Sequence, residues 1–157
     1  MDPDSEKLLA SILRSTRVAG LGTLREGAPF VSMVAFAPMS DFSLFYIHVS
    51  RLAQHTQDML NDPRVSLMIS EADDGRPDPQ TLGRISIRGK VESVPPDAPD
   101  YTQARSLYLT RFPASESLFG FGDFSIFRII PQGARYVAGF ARAFSLTVDA
   151  LMKASQV

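Results

Sequence analysis

The stretch Tyr46–Thr56 (YIHVSRLAQHT) has the residue types and spacing in this chain that best suit binding chemistry. A strand pattern ends there at Ser50-Arg51, and helical spacing begins directly afterwards. Free backbone N–H groups, a hydroxyl and a guanidinium therefore converge on one point, which favours an anion. A second interpretation stays open, in which Ser50 only caps the helix and Arg51 is solvated.

Other chemistries find little support in the residue types. The absence of cysteine excludes disulfides, thiolate metal sites, iron–sulfur clusters and cysteine nucleophiles. With only two histidines, His48 and His55, no metal site is predicted. The Asp73–Asp78 segment lacks the EF-hand spacing, and no GxxxxGK[ST] phosphate loop occurs. No acid–base pair that would indicate hydrolysis stands out.

Length and charge limit the class of protein. A chain of 157 residues is predicted to form a single domain, residues 1–157. The net charge of -1 disfavours a general binder of nucleic acid or of anionic membranes. No apolar run approaches the roughly 18 residues of a membrane span, and the acidic opening Met1–Glu6 is unlike a signal peptide. We therefore expect a cytoplasmic protein.

The elements that must position these residues follow from periodicity. Short antiparallel strands at this spacing favour a closed barrel over a doubly wound sheet, because parallel pairing needs a helix at nearly every crossover. The predicted strands are 18–23, 30–36, 44–50, 64–70, 84–92, 123–130 and 134–147, and the predicted helices are 5–15, 52–61, 101–112 and 148–154. Turns are predicted at 25–29 and 131–133, and a surface loop at 73–80.

Within the strand 44–50, side chains alternate between two faces. The odd-numbered residues are apolar and are expected in the core, whereas Tyr46, His48 and Ser50 lie on the other face, which is expected to be polar. Ser50 is placed to cap the following helix. The aromatic stretch 112–124 is expected to be core or a dimer contact, with a cover for a planar ligand as the alternative.

The order of these motifs resembles the FMN-binding split-barrel proteins related to pyridoxamine 5'-phosphate oxidase. The features that carry the resemblance, over residues 8–147, are the glycine-turn hairpin, the strand ending in Ser50-Arg51, the LAQHT helix start, Asn61-Asp62-Pro63-Arg64 and the Arg84-to-Gly89 strand. LAQHT and the segment 138–143 (AGFARA) are closer to the haem-utilisation branch of that superfamily.

The resemblance implies a mainly β (α+β) fold, an antiparallel split β-barrel of six to seven strands with short flanking helices. It implies a homodimer with one FMN in each of two interface clefts. The implied function is an FMN-dependent oxidoreductase acting on a small planar substrate, with a role in haem utilisation. A non-catalytic flavin or haem carrier is the alternative, with haem as a second candidate ligand. Neither nucleic acid nor membrane is an expected partner.

The resemblance also implies the cofactor-binding residues. Ser50 and Arg51 would hold the FMN phosphate, with Leu52 and His55 following at the helix start. The remaining positions are Phe45 and Tyr46 along the ribityl and flavin path, Ser32, Met33, Val34 and Ala35 beside the isoalloxazine edge, and Arg84 near the flavin. The oxidase itself has Arg at the position of Ser32 and Lys at that of Leu52, and its C-terminal Arg-and-His ending is missing here. These departures disfavour pyridoxamine phosphate as the substrate, and no catalytic residue is predicted.

Overall fold

The computed structural model describes all residues, Met1–Val157. The chain forms eight strands and four α-helices. Their bounds are α1 Pro3–Ser15, β1 Val18–Arg25, β2 Ala28–Ala35, β3 Ala37–Pro38, β4 Phe45–Ser50, α2 Gln54–Asn61, β5 Arg64–Ser70, β6 Arg84–Val94, α3 Tyr101–Arg111, β7 Phe124–Val137, β8 Ala143–Leu146 and α4 Val148–Lys153. Short 3-10 segments lie at Pro79–Thr81, Pro113–Gly120 and Ala154–Gln156. None of the helices combines the length and the apolar character that a bilayer crossing needs.

The strands form one curled antiparallel sheet. Their order is β2-β1-β5-β6-β7-β4-β3, with β8 beside the end of β7. Only Phe36 separates β2 from β3 in the chain, yet these strands lie at opposite ends of the order. The sheet must therefore curl until its two edges approach, around a cluster of 26 buried residues. The predicted antiparallel split β-barrel with short flanking helices is confirmed.

The first helix and hairpin form where the sequence predicts them, although α1 begins at Pro3, two residues before the predicted start. Asp2 caps α1 by accepting a hydrogen bond from the backbone N–H of Ser5 at 2.9 Å, and the apolar face of α1 packs into the core cluster. Glu26 and Gly27 have φ angles of 52° and 80°. Two consecutive left-handed residues make the tight turn whose twist matches that of paired strands, so the register of β1 on β2 is fixed.

The predicted turn at residues 131–133 is wrong. β7 continues from Phe124 to Val137, and the segment forms a β-bulge within it, where Gln132 is the extra residue opposite the Arg88–Gly89 step of β6. A proline is tolerated in a strand at such a bulge. The chain turns instead after β7, where Gly139 and Ala141 have φ angles of 108° and 58°. The last strand, β8, is consequently only four residues long.

The face of β4 that carries the polar atoms is buried rather than at the surface, because α3 and the segment 113–120 cover it. The exposed fractions of Tyr46 and His48 are 1% and 8%. The ring of His48 stacks on that of Phe119, with centroids 3.8 Å apart and planes 8° apart. Burial lowers the pKa of His48 to about 4, and its Nδ1 has no hydrogen-bond partner. The aromatic stretch thus supplies core contacts.

Candidate functional site

The turn Ser50–His55 and Ser32 of β2 come together in a feature that we name the β4–α2 corner. Ser32 Oγ lies 3.1 Å from His55 Nδ1, which ties β2 to the start of α2. The Thr56 hydroxyl donates to the Ser50 carbonyl at 2.6 Å and closes the turn. The structure therefore gathers the predicted residues Ser32, Ser50, Arg51, Leu52 and His55.

Ser50 has a different role from the predicted cap. α2 begins at Gln54, and its N-cap residue, Ala53, makes no side-chain cap. The Ser50 hydroxyl instead donates to Asp123 Oδ2 at 2.7 Å and accepts from the Leu52 backbone N–H at 3.1 Å. β4 ends at Ser50, where these hydrogen bonds form, and three residues separate it from α2. Ser50 fixes the turn, and its hydroxyl proton is engaged by a carboxylate.

Arg51 is the exposed cation of the corner. Its Nε donates to Ser125 Oγ at 3.2 Å, and no carboxylate lies within ion-pair distance of its guanidinium. The backbone N–H groups of Gln54 and His55, in the first turn of α2, have no partner in the chain. A cation beside free N–H groups at a helix start can bind an anion. The neighbouring Leu52 side chain is 85% exposed.

A buried polar network joins α2 to β1 beneath the corner, and the sequence did not predict it. The carboxylate of Asp58, 2% exposed, accepts hydrogen bonds from Gln54 Nε2, Arg25 Nε and Thr23 Oγ1 at 3.0, 3.2 and 3.0 Å. The bond from Gln54, followed by those from Arg25 and Thr23, holds the pKa of Asp58 below its usual value. The sequence feature that could have indicated this network is an aspartate on the apolar side of a short amphipathic helix.

His55 lies between Ser32 and this network. Burial lowers the pKa of His55, and the negative charge of Asp58 opposes that shift. Its Nδ1 faces Ser32, while its buried Nε2 has no partner. Burial therefore favours the neutral imidazole, and one ring nitrogen joins β2 to α2.

The structure places the other predicted residues of β2 and β4 apart from the corner side chains. Met33 points outward and is 73% exposed, whereas Val34 lies in the core and Ala35 is half-buried. Phe45 and Tyr46 are buried, and β4 is paired at these residues with β3 on one side and β7 on the other. The Tyr46 hydroxyl donates to Asp100 at 3.2 Å.

Arg84 lies far from the corner within one subunit. Strand pairing places Ser32 of β2 level with Ile87 of β6, with β1 and β5 between them. Arg84 lies three residues from Ile87 along β6, so it is three residues and three strands away from Ser32. Strand spacings make that separation roughly 17 Å. Its Nη1 donates to the carbonyls of Gln80 and Leu82 at 2.7 and 3.0 Å, which ties it to the loop before β6.

The outer side of β2, β1 and β5 is an exposed apolar surface that we name the β2–β1–β5 face. Val31 and Met33 of β2 are 71% and 73% exposed, and Met68 of β5 is 46% exposed. Gly20 and Gly22 of β1 lie between these strands on the same side, so the middle of the face is flat. A cavity of about 960 Å³ opens beside it, against α1, with Ser32 and Met33 in its wall.

A curled antiparallel barrel with short flanking helices is the architecture of the split-barrel proteins. The sequence pattern of the pyridoxamine 5'-phosphate oxidase family matches residues 5–138, and the chain belongs to this family.

Its relatives agree with the haem-utilisation branch. The chain is 41% identical over 119 residues to a chloroplast heme oxygenase, HOZ, of Arabidopsis thaliana, a match that covers 76% of this chain and 35% of that protein. It is 24% identical over 128 residues to the heme oxygenase HutZ of Vibrio cholerae, covering 81% and 72%. A solved heme binding protein from Mycobacterium smegmatis superimposes with a TM-score of 0.84 at 28% identity, covering 98% of this chain and 62% of that one. The chain thus spans about a third of the plant relative's length.

Proposed function

We propose that the protein is an FMN-dependent oxidoreductase of the pyridoxamine 5'-phosphate oxidase-like superfamily, with the FMN phosphate bound at the β4–α2 corner. The observation that carries the proposal is the exposed Arg51 guanidinium, without a carboxylate partner, at a turn that leads into the free N–H groups of Gln54 and His55. A phosphate dianion is the kind of group that such donors bind.

The residues present fit this cofactor with one change of role. The Ser50 hydroxyl donates to Asp123, so in this proposal Ser50 shapes the turn while Arg51 and the N–H groups of α2 contact the phosphate. Residues 32–35 of β2 border the flavin ring, and Arg84 can approach it only from a second subunit. When bound, FMN supplies the redox chemistry, while this chain binds and orients it.

The proposal includes a homodimer with the flavin cleft at its interface. Its support is the β2–β1–β5 face, on which Val31 and Met33 are more than two-thirds exposed. Contiguous exposed apolar side chains beside a large cavity are typical of a surface that associates with a partner. A second copy of the chain would cover these side chains and close the cleft around a small planar substrate.

A flavin or haem carrier without turnover is the second candidate, favoured by the similarity to proteins named as heme oxygenases and as a heme binding protein. The two histidines do not fit haem ligation. His48 is 8% exposed and stacked on Phe119, and the free Nε2 of His55 is buried. Haem would have to be held by other side chains, so FMN suits the observed donors better.

The experiment that separates the two candidates is turnover. The FMN-loaded protein is mixed with NADH or NADPH and an electron acceptor, and oxidation of the nicotinamide is followed by its absorbance. The oxidoreductase predicts multiple turnovers per subunit that exceed the rate with free FMN. A rate equal to that of free FMN, with flavin still bound to the protein, would support the carrier without turnover instead.

A further inference from the structure

The outer side of the sheet becomes basic where β6, β7 and β8 meet, on the part of the sheet away from β2. A cavity of about 600 Å³ lies there. Its walls include Arg88 and Arg135 and the hydroxyl-bearing residues Ser66, Ser86 and Ser145, and no acidic residue lines it. We name it the β6–β8 cavity. No residue of the β4–α2 corner lines it either.

Strand register sets the two arginines side by side. Ser86 of β6 pairs with Arg135 of β7, and Arg88 pairs with Gly133 two residues away. Diagonal neighbours on one face of an antiparallel pair lie roughly 7–8 Å apart at their backbones, within reach of long side chains. A β-carbon at Gly133 would lie 3.6 Å from Arg88 Nη2, so the guanidinium of Arg88 lies across β7 in the space that the glycine leaves.

Neither guanidinium is neutralised within the chain. Arg135 Nη1 donates to Ser145 Oγ at 3.0 Å, which orients it, while Arg88 makes no hydrogen bond and no ion pair. Two like charges held on adjacent strands repel each other. An anion placed between them would remove the repulsion and would accept from both planar forks and from the serine hydroxyls.

We propose that the β6–β8 cavity is a second binding site, for a small molecule that carries a phosphate monoester or diphosphate group. The paired guanidinium forks suit the charge and geometry of a phosphate dianion. The volume lies within the roughly 300–1,000 Å³ of small-molecule sites and exceeds what a single inorganic ion would fill. This site is separate from the FMN phosphate position and does not depend on it.

Calorimetric titration of the intact protein with inorganic pyrophosphate tests the proposal, and inorganic phosphate and citrate are the comparison ligands. We expect saturable pyrophosphate binding that weakens at least about tenfold in Arg88→Gln and in Arg135→Gln. The protein is first saturated with FMN, so that the β4–α2 corner is filled. Lys90→Gln removes the same charge from the same strand outside the cavity and should bind pyrophosphate within about twofold of wild type.

Several results would overturn the site. Equal weakening in Lys90→Gln would mean attraction to general surface charge, and binding of pyrophosphate that disappears when FMN is added would place it at the β4–α2 corner. Tighter binding of citrate than of pyrophosphate would remove the phosphate specificity. Circular dichroism spectra of each variant confirm folding. Arg88→Lys should retain part of the affinity, since it keeps the charge and loses the fork.

Discussion

Arg51 combines exposure with the absence of an acidic partner, and the proposed phosphate site depends on it. Arg51→Ala removes a charge-assisted hydrogen bond of about 1.5–3 kcal/mol, so FMN affinity should fall roughly ten- to a hundredfold. Quenching of flavin fluorescence during titration measures the change.

Two controls belong to this prediction. Riboflavin lacks the phosphate, so its affinity should change little in Arg51→Ala. Lys7→Ala removes an equal charge from the exposed side of α1 and should leave FMN affinity unchanged. Equal FMN affinity in the wild type and in Arg51→Ala would put the phosphate elsewhere.

The buried His48 predicts how stability depends on pH. Its pKa is about 4 in the folded protein, whereas the unfolded chain protonates it near 6.5, so the unfolded state binds more protons between these values. The free energy of unfolding should therefore fall as pH drops through this window. His48→Phe keeps an aromatic ring for Phe119 and should flatten the dependence in urea unfolding.

The comparison for this experiment is His55→Gln, because burial lowers the pKa of His55 as well. Each variant should remove part of the slope, and the larger part should belong to His48. The carboxylates whose pKa values are lowered titrate mainly below this window, since unfolded Asp protonates near 3.9. An unchanged slope in His48→Phe would contradict the account of its burial.

At the residue scale, the sequence could predict contacts between residues that are adjacent in the chain. Ser50 and Arg51 are neighbours, so their meeting at a strand end was visible in the pattern. The contacts that define the corner join residues distant in the chain, Ser32 to His55 and Ser50 to Asp123. No local spacing encodes those pairs, which is why the engagement of Ser50 by a carboxylate was missed.

At the scale of elements, Arg111 joins α3 to the end of α1. Its Nη1 donates to the Arg14 carbonyl at 2.9 Å and its Nη2 to the Thr16 carbonyl, while its guanidinium lies over Phe36. Arg111→Met leaves those carbonyls without this donor and should lower the free energy of unfolding by about 1–3 kcal/mol. Arg111→Lys should lose less. Urea denaturation measures this free energy, and the m-value should stay unchanged. Wild-type stability in Arg111→Met would contradict the role of Arg111 in joining α3 to α1.

Gly89 is the residue that lets β7 continue past Pro131. A β-carbon at this position would collide with the Ile130 carbonyl oxygen and lie 3.0 Å from its carbon. Because both atoms are backbone, Gly89→Ala should lower the free energy of unfolding by about 1–3 kcal/mol. A β-carbon at Gly120 meets no atom within 4 Å, so Gly120→Ala should stay within about 0.5 kcal/mol of wild type. Equal thermal stability of the two variants would refute the close approach.

Element types followed from sequence more closely than their limits. The pattern Pro131-Gln132-Gly133 predicted a turn, because proline and glycine mark β-bulges as well as turns, and this segment is a bulge in β7 opposite Arg88 and Gly89 of β6. The alternation in β4 separated its two faces correctly. It could not show that α3 and the segment 113–120 cover the polar one, since burial of Tyr46 and His48 depends on that packing.

At the scale of the whole molecule, the proposed dimer predicts which exposed side chains become buried. Met33→Lys places a charge in the centre of the β2–β1–β5 face and should raise the dimer dissociation constant at least about tenfold. Phe140→Lys is the matched control, because Phe140 is 83% exposed and lies outside the face. Sedimentation velocity at micromolar concentration measures both.

FMN should also stabilise the dimer, since a ligand held between subunits favours their association. A monomer that retains FMN would contradict the shared cleft.

The barrel itself was predictable from the order of short antiparallel strands. Its outer face was not, because the exposed Val31 and Met33 carry the same apolar signal as the core residue Val34.

The visible absorption spectrum distinguishes bound FMN from bound haem in one measurement. Purified protein is incubated separately with FMN and with haem, passed through a desalting column, and scanned. We expect flavin bands at one FMN per subunit after FMN, with little FMN retained in Arg51→Ala. A colourless protein after FMN together with a retained Soret band after haem would contradict FMN binding at the β4–α2 corner.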